Sequence, residues 1–152
     1  MGLENVVVER RDAIVDEPDA NQLYDAVLLD APCSGFGTVG RKIDARWSKS
    51  AETICELTRL QNLMLSRAAL LVKPSGILVY STCTIDRAEN EETVRVFLEA
   101  QPEFIAEGIQ SSESRELVTS EGFYRAWPHR HAMAGAFAAV LRRISPPPMG
   151  HR

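Results

Sequence analysis

Two unbroken apolar runs, Ala26-Val27-Leu28-Leu29 and Ile77-Leu78-Val79-Tyr80, each stop at a polar segment that carries a cysteine, Cys33 and Cys83. Four apolar residues without alternation are hydrophobic on both faces of an extended chain, the pattern of a buried parallel strand. Between the runs Ile54, Leu57, Leu60, Met64, Leu65, Ala68 and Leu71 recur at helical spacing, after a capping Ser48 or Ser50 and before the breaker cluster Lys73-Pro74-Ser75-Gly76. Strand, helix and strand joined by one crossover imply an α/β fold in which the two cysteine-bearing strands are neighbours in a parallel sheet.

The rest of the chain extends this reading. Val6-Val7-Val8 is a short β-branched strand before the charged loop Glu9 to Asp12, and the Phe36 to Trp47 stretch has loop composition. A second helix is expected from about Glu89 to Ala100, strands at Phe104 to Ile109 and Ala136 to Leu141, and a polar loop at Ser111 to Glu121. One domain, residues 1–143, followed by a disordered tail at 144–152 around Pro146-Pro147-Pro148, is the expected organisation. With 45% hydrophobic residues the chain can bury a core, and a net charge of -4 gives no bulk signature of nucleic-acid binding. No apolar run reaches membrane length and no signal segment is visible, so a cytoplasmic location is expected. Three widely spaced cysteines indicate neither a disulfide framework nor a zinc site, and no metal is expected.

Reactive groups in open parallel sheets gather just past the carboxyl ends of strands, which is where Cys33 and Cys83 lie. Their thiols should face each other across one cleft. An ordinary cysteine is a small buried hydrophobe, and Cys55, mid-helix beside Ile54, takes that reading. For the other two the surrounding residues matter more. Asp30-Ala31-Pro32-Cys33-Ser34-Gly35 and Ser81-Thr82-Cys83-Thr84 resemble motifs of the Sun/nucleolar-protein family of RNA cytosine-5 methyltransferases. The resemblance continues in family order through Gly37-Thr38, Arg41, Asp44, Trp47, the Gln61 helix, Pro74-Ser75-Gly76, Glu89-Asn90-Glu91 and Trp127-Pro128-His129-Arg130.

That resemblance implies a partial Rossmann-like class I methyltransferase fold, a mainly parallel sheet with an antiparallel C-terminal strand, its first two strands missing. It implies S-adenosylmethionine as cofactor, RNA, in particular rRNA, as substrate, and Cys83 as the nucleophile that adds to cytosine carbon 6. Cys33 maps to the second cysteine, implicated in freeing the product. Asp30 maps to the carboxylate that meets the cytosine edge and is assigned to the cofactor as well; its plainer reading is a turn cap. Asp12 resembles the acidic residue that holds the adenine of the cofactor, and is equally well a solvated loop charge. The carbonyl of Pro32 can accept from the exocyclic amine of the base. Arg41 and Arg46, with Lys42 and Lys49, suit phosphates and Trp47 suits base stacking, although such a run is more often a solvated face. His129 and Arg130 are read as stabilising a loop.

The glycine-rich turn and the acidic residue through which the family chiefly holds its cofactor are expected before Met1, so the chain reads as a catalytic domain cut between its second and third strands. Gly35, Gly37 and Gly40 do not have the spacing to replace that turn. Ile43, Thr84 and Ala134 depart from the family pattern, where proline, serine and aspartate are common. The Val6 to Val8 strand is then expected to move beside Ala26 to Leu29, or the free edge to pair with another chain, as a homodimer or with the missing N-terminal half. The alternative function is a non-catalytic binding module or remnant that keeps the fold without the cofactor site. A thiol oxidoreductase is disfavoured because Cys33 and Cys83 are far apart in sequence.

Overall fold

In a computed structural model of the chain, residues 4–17, 22–40, 50–110 and 115–144 are described. The first apolar run becomes β1, Tyr24–Asp30, and the second lies inside β2, Val72–Thr82. The two pair in parallel, Leu28 opposite Val79 and Asp30 opposite Ser81. The crossover between them is α1, Ala51–Ala69, whose first turn is capped by Ser50 accepting from the Thr53 amide at 3.3 Å. The helix ends before the breaker cluster: Lys73 to Gly76 falls within β2, as an irregularity between the Tyr24–Val72 and Ala26–Ile77 pairs, with Ser75 at φ 64°. Pro74 lacks an amide hydrogen and Ser75 is left-handed, so the cluster breaks a sheet ladder here instead of ending a helix.

The second helix, α2, is Glu91–Ala100, two residues shorter at its start than the sequence pattern predicts, because Glu89 and Asn90 turn inward as buried polar groups. Strands β3, Phe104–Glu107, β4, Tyr124–Ala126, and β5, Ala136–Arg143, complete a five-stranded sheet in the order β1-β2-β5-β3, with β4 also against β5. Four strands run one way and β5 runs against them, so the sheet is parallel in direction but only β1 and β2 are parallel neighbours. A short helix, α3, Pro128–His131, joins β4 to β5.

Helices α1 and α2 cover one face of the sheet. Leu65 and Ala69 of α1 and Val94 and Phe97 of α2 are buried with Leu29, Leu78, Tyr80, Phe137, Ala139 and Leu141 of the strands. Alternation along β2 and β5 sends Ile77, Val79 and Val140 to the opposite face, where they are half-exposed. The expectation that β1 is buried on both faces is therefore wrong within this chain: only Leu29 is buried, and Leu28 is 68% exposed. β1 is the edge of the sheet, and among the described residues no strand pairs with its outer side.

The strand expected at Val6 to Val8 does not form. These residues lie outside any strand and are 54%, 84% and 89% exposed, and they do not pair with β1. Three β-branched residues carry no stable strand without a partner ladder to take their backbone groups. Residues 41–49, 111–114 and 145–152, on which parts of the expected loops and tail fall, lie outside the described residues. Among those described, no helix is long and apolar enough to cross a membrane.

Candidate functional site

Both cysteines sit where strand pairing runs out. The Ala31 amide still donates to the Ser81 carbonyl at 2.9 Å, one residue past β1, and beyond it the chains part into two short loops that carry Cys33 and Cys83. The sulfurs are 3.4 Å apart, in hydrogen-bond contact. Cys83 is exposed and Cys33 half-buried. Burial, reinforced by the hydrogen bond with Cys83, pushes the Cys33 thiol up to about 11, so Cys33 keeps its proton at neutral pH. An exposed sulfur beside a protonated thiol is an arrangement that can supply a nucleophile and a proton carrier to one substrate.

The loops are held to each other by backbone as well as side chains. Gly35 has φ 71°, and Gly37 donates to the Cys83 carbonyl at 3.1 Å while its own carbonyl accepts from Gly135 at 2.8 Å. A Cβ on Gly37 would lie 2.7 Å from the Cys83 oxygen, so only glycine allows this approach. Beneath the loops, Ser34 donates to Glu89 through its amide at 2.8 Å and its hydroxyl at 2.5 Å. The Ser34 and Thr84 hydroxyls meet at 2.8 Å, and Gln61 donates to the Pro32 carbonyl at 2.9 Å and to Glu89 at 3.0 Å. Ser34, Gln61, Thr84 and Glu89 are all buried. The family resemblance runs through Gln61 and Glu89, but nothing in their local pattern gave either a role. Gln61 sits on the buried stripe of α1 with Leu65 and Ala69, where spacing alone predicts another apolar residue.

Asp30 ends β1 and is exposed, and the Ser81 hydroxyl donates to its Oδ1 at 3.0 Å. Pro32 is exposed with one lone pair of its carbonyl engaged by Gln61. Asp12 lies elsewhere. Its Oδ1 accepts from the Ile14 and Val15 amides at 2.8 and 3.1 Å, closing a turn, and those amides hold its carboxyl below the usual range. It lines a cavity of about 260 Å³ at the outer edge of β1, with Leu28, Leu29, Met64 and Ala68, to which neither cysteine contributes. The wall of this cavity also carries the charged side chains of Arg11, Asp16, Glu17 and Arg67, so an apolar floor is rimmed by both signs of charge. Arg41, Arg46 and Trp47 fall outside the described residues.

On the far side of Cys83, Arg125 is buried and clamps its loop, donating to the Ile85 carbonyl at 2.7 Å and pairing with Glu91, with its guanidinium 4.2 Å over the Trp127 ring. His131 Nδ1 accepts from the Trp127 amide at 2.9 Å, and His129 stacks near Trp127 at 5.7 Å.

The family described as 16S rRNA methyltransferase RsmB/F matches residues 1–142. The chain belongs to this family. It is 35% identical over 147 residues to the probable ribosomal RNA small subunit methyltransferase B of Bacillus subtilis, covering 94% of this chain and 33% of that protein. Against the ribosomal RNA small subunit methyltransferase F of Erwinia tasmaniensis it is 36% identical over 154 residues, 97% of this chain and 32% of that protein. The crystal structure described as NSun6 from Pyrococcus horikoshii with SFG superposes with a TM-score of 0.76 at 28% identity, covering 94% of this chain and 36% of that one. This RsmB/F chain thus has the mixed, Rossmann-like sheet of a methyltransferase, and spans about a third of the length of the curated relatives it matches.

Proposed function

We propose that residues 1–143 carry the cysteine half of an S-adenosylmethionine-dependent RNA cytosine-5 methyltransferase acting on rRNA, and that the single observation supporting this most is the 3.4 Å contact between Cys33 and Cys83. Carbon 5 of cytosine is a weak nucleophile. Cys83 Sγ, the more exposed sulfur, adds as thiolate to carbon 6, and the electron pair of the 5,6 double bond moves toward carbon 5. The Asp30 carboxyl meets the edge of the ring at nitrogen 3 with one proton shared between them, which stabilises the charge that develops on nucleophile addition, and the second lone pair of the Pro32 carbonyl accepts from the exocyclic amine, which reads the base. S-adenosylmethionine supplies the methyl group for carbon 5. Release then needs the carbon 5 proton to pass to a base, here solvent water, its bonding electrons re-forming the 5,6 double bond as the carbon 6 to sulfur bond breaks with its electrons returning to Cys83; Cys33, protonated beside it, assists by giving its proton to the departing sulfur.

Asp12 and the apolar cavity suit the adenine end of the cofactor, with Asp30 nearer the reacting ring; none of the described residues forms a glycine-rich turn for its methionine end. Turnover therefore requires a segment that adds to the free edge of β1, either an N-terminal half of the domain or, less completely, a second copy of this chain. Arg41, Arg46 and Trp47 are assigned to the RNA, and reduced thiols suit a cytoplasmic setting.

RNA containing 5-fluorocytidine tests the chemistry, because the fluorine on carbon 5 cannot leave as a cation and the adduct persists. The 152-residue chain with labelled cofactor and unmodified RNA is expected to transfer no methyl group. Joined to a segment that supplies the methionine end, it is expected to methylate and to trap fluorinated RNA through Cys83, with Cys33→Ala accumulating adduct even on ordinary cytosine. Robust methylation by Cys83→Ala, or adduct mapped to Cys33, overturns the assignment.

A further inference from the structure

Glu89 is 0% exposed, and every group that reaches its carboxylate is a donor. Oε1 accepts from the Ser34 amide and Gln61 Nε2, and Oε2 from the Ser34 hydroxyl. Each of these donors lies in, or is hydrogen-bonded to, a loop that bears a proposed reactive group. Ser34 follows Cys33 directly. Gln61 uses its second amide hydrogen on the carbonyl of Pro32, the residue before Cys33. The Ser34 hydroxyl also meets Thr84, the residue after Cys83.

The direction of this chain of hydroxyls follows from its ends. Thr84 Oγ1 accepts from the Asp86 amide at 3.2 Å, so its proton is free to go to Ser34, whose own proton then goes to Glu89. Only an acceptor-only carboxylate completes the chain in that sense. Glu89 is itself fixed from behind: its carbonyl accepts from the buried Tyr80 hydroxyl at 2.6 Å, and neighbouring Asn90 bridges Thr82 at 2.6 Å and the Thr84 carbonyl at 3.1 Å.

We infer that Glu89 is the positioning residue of the site: its buried carboxylate draws the Pro32 carbonyl, Cys33 and Cys83 into one fixed arrangement at the ends of β1 and β2. The inference rests on the reading that these three groups act on one base, and it assigns Glu89 no contact with substrate. Hydrogen bonds to an ionised group are about twice as strong as neutral ones, and three of them lock the loops more tightly than the glycine contacts alone. Glutamine at 89 keeps the shape but brings an amide donor toward donors. With its nitrogen at the Oε2 position, Ser34 must reverse its hydroxyl and Thr84 loses an acceptor. Alanine leaves Ser34 and Gln61 donors buried without partners.

The spacing of the thiols can be read without RNA or methyl donor. In a Cys55→Ser background, which leaves only the pair in question, the chain is equilibrated with glutathione and its disulfide. The protein dithiol and glutathione disulfide give the protein disulfide and two glutathione thiols, and the equilibrium constant reports the effective concentration of one sulfur for the other. Glu89→Ala is expected to lower it at least about tenfold and Glu89→Gln by roughly threefold or more, as loss of fixed geometry does. Leu141→Ala, a core truncation remote from the loops, is expected to destabilise the fold and move the effective concentration less than about twofold. Thr84→Val, which cuts only the link to the Cys83 loop, should lower it as well, and carries the test with Glu89→Gln should Glu89→Ala not fold. An unchanged value in the folded Glu89 variants, or a fall no larger than that in Leu141→Ala, overturns the inference and leaves the proposed role of Cys83 standing. Conversely, a large fall alongside adduct formation at Cys33 sinks the methyl-transfer assignment and leaves the positioning role intact.

Discussion

Cys33 is a thiol held in its neutral form by its surroundings, and this makes the stability of the fold depend on pH. Its ordinary value is 9.0 and its folded value about 11, so below 9 both folded and unfolded chains hold the proton and the group contributes nothing to pH dependence. Between 9 and 11 the unfolded chain ionises and the folded chain does not, so this residue makes stability fall as pH rises, and the fall levels off above 11. The stability difference between wild type and Cys33→Ala, followed by urea unfolding from pH 8 to 11, is expected to shift against wild type only in the upper part of that range. A flat difference would mean that burial and Cys83 do not hold the proton. Alkylation at pH 8 is expected to label Cys83 well before Cys33, read by mass of the two peptides. At this scale the pairing of Cys33 with Cys83 was legible, since two apolar runs and one crossover leave few ways to separate their ends. Glu89 was not. Its partners Ser34 and Gln61 are 55 and 28 residues away in sequence, and no local spacing marks a buried carboxylate that serves as a hub.

Elements show why packing, and not pattern alone, sets boundaries. The α1 stripe is legible from its spacing, and its end is not, because Lys73 to Gly76 serves as a break inside β2 where the same residues read locally as a helix stop. β4 and α3 went unread, being three and four residues long and held by contacts distant in sequence such as Arg125 with Glu91 and Ile85. That clamp yields an expectation of its own. Arg125 is 4% exposed and burial pulls its guanidinium below the usual value, so Glu91→Ala, which strips its charge partner, is expected to cost about 3–5 kcal/mol in denaturant unfolding. A cost below about 1 kcal/mol, the range of exposed pairs, would show that water reaches the guanidinium. Ser50→Ala, removing the α1 cap, is expected to cost only about 1 kcal/mol. Gly37→Ala should cost more than the cap, roughly 1–3 kcal/mol, because its new methyl group meets the Cys83 carbonyl and must push the loop aside.

Among the described residues the sheet has one covered face and one open one, and the reason lies in the residues that first suggested a sheet. Ala26 to Leu29 is apolar on both sides, as a strand buried on both sides should be, but α1 and α2 lie on the same face and leave a row of exposed Leu28 and half-exposed Val79 and Val140 on the other. Val6 to Val8 does not fill the gap, so one of the two ways expected to close the β1 edge falls, and pairing with a further chain remains as the proposal. Leu28 separates the two conditions of the sheet. At 68% exposure it adds little to the fold of the single chain, so Leu28→Glu is expected to change unfolding free energy by no more than about 0.5 kcal/mol. The same charge, placed on an apolar row beside an unpaired strand edge, should lower any concentration-dependent association seen by light scattering and block addition of the N-terminal half. Loss of several kcal/mol in the isolated variant would place Leu28 inside a core, and unimpaired addition of the half would place the contact elsewhere. Either result removes the open face as the place where a further segment adds, because Leu28, at 68%, is the most exposed large apolar side chain of β1.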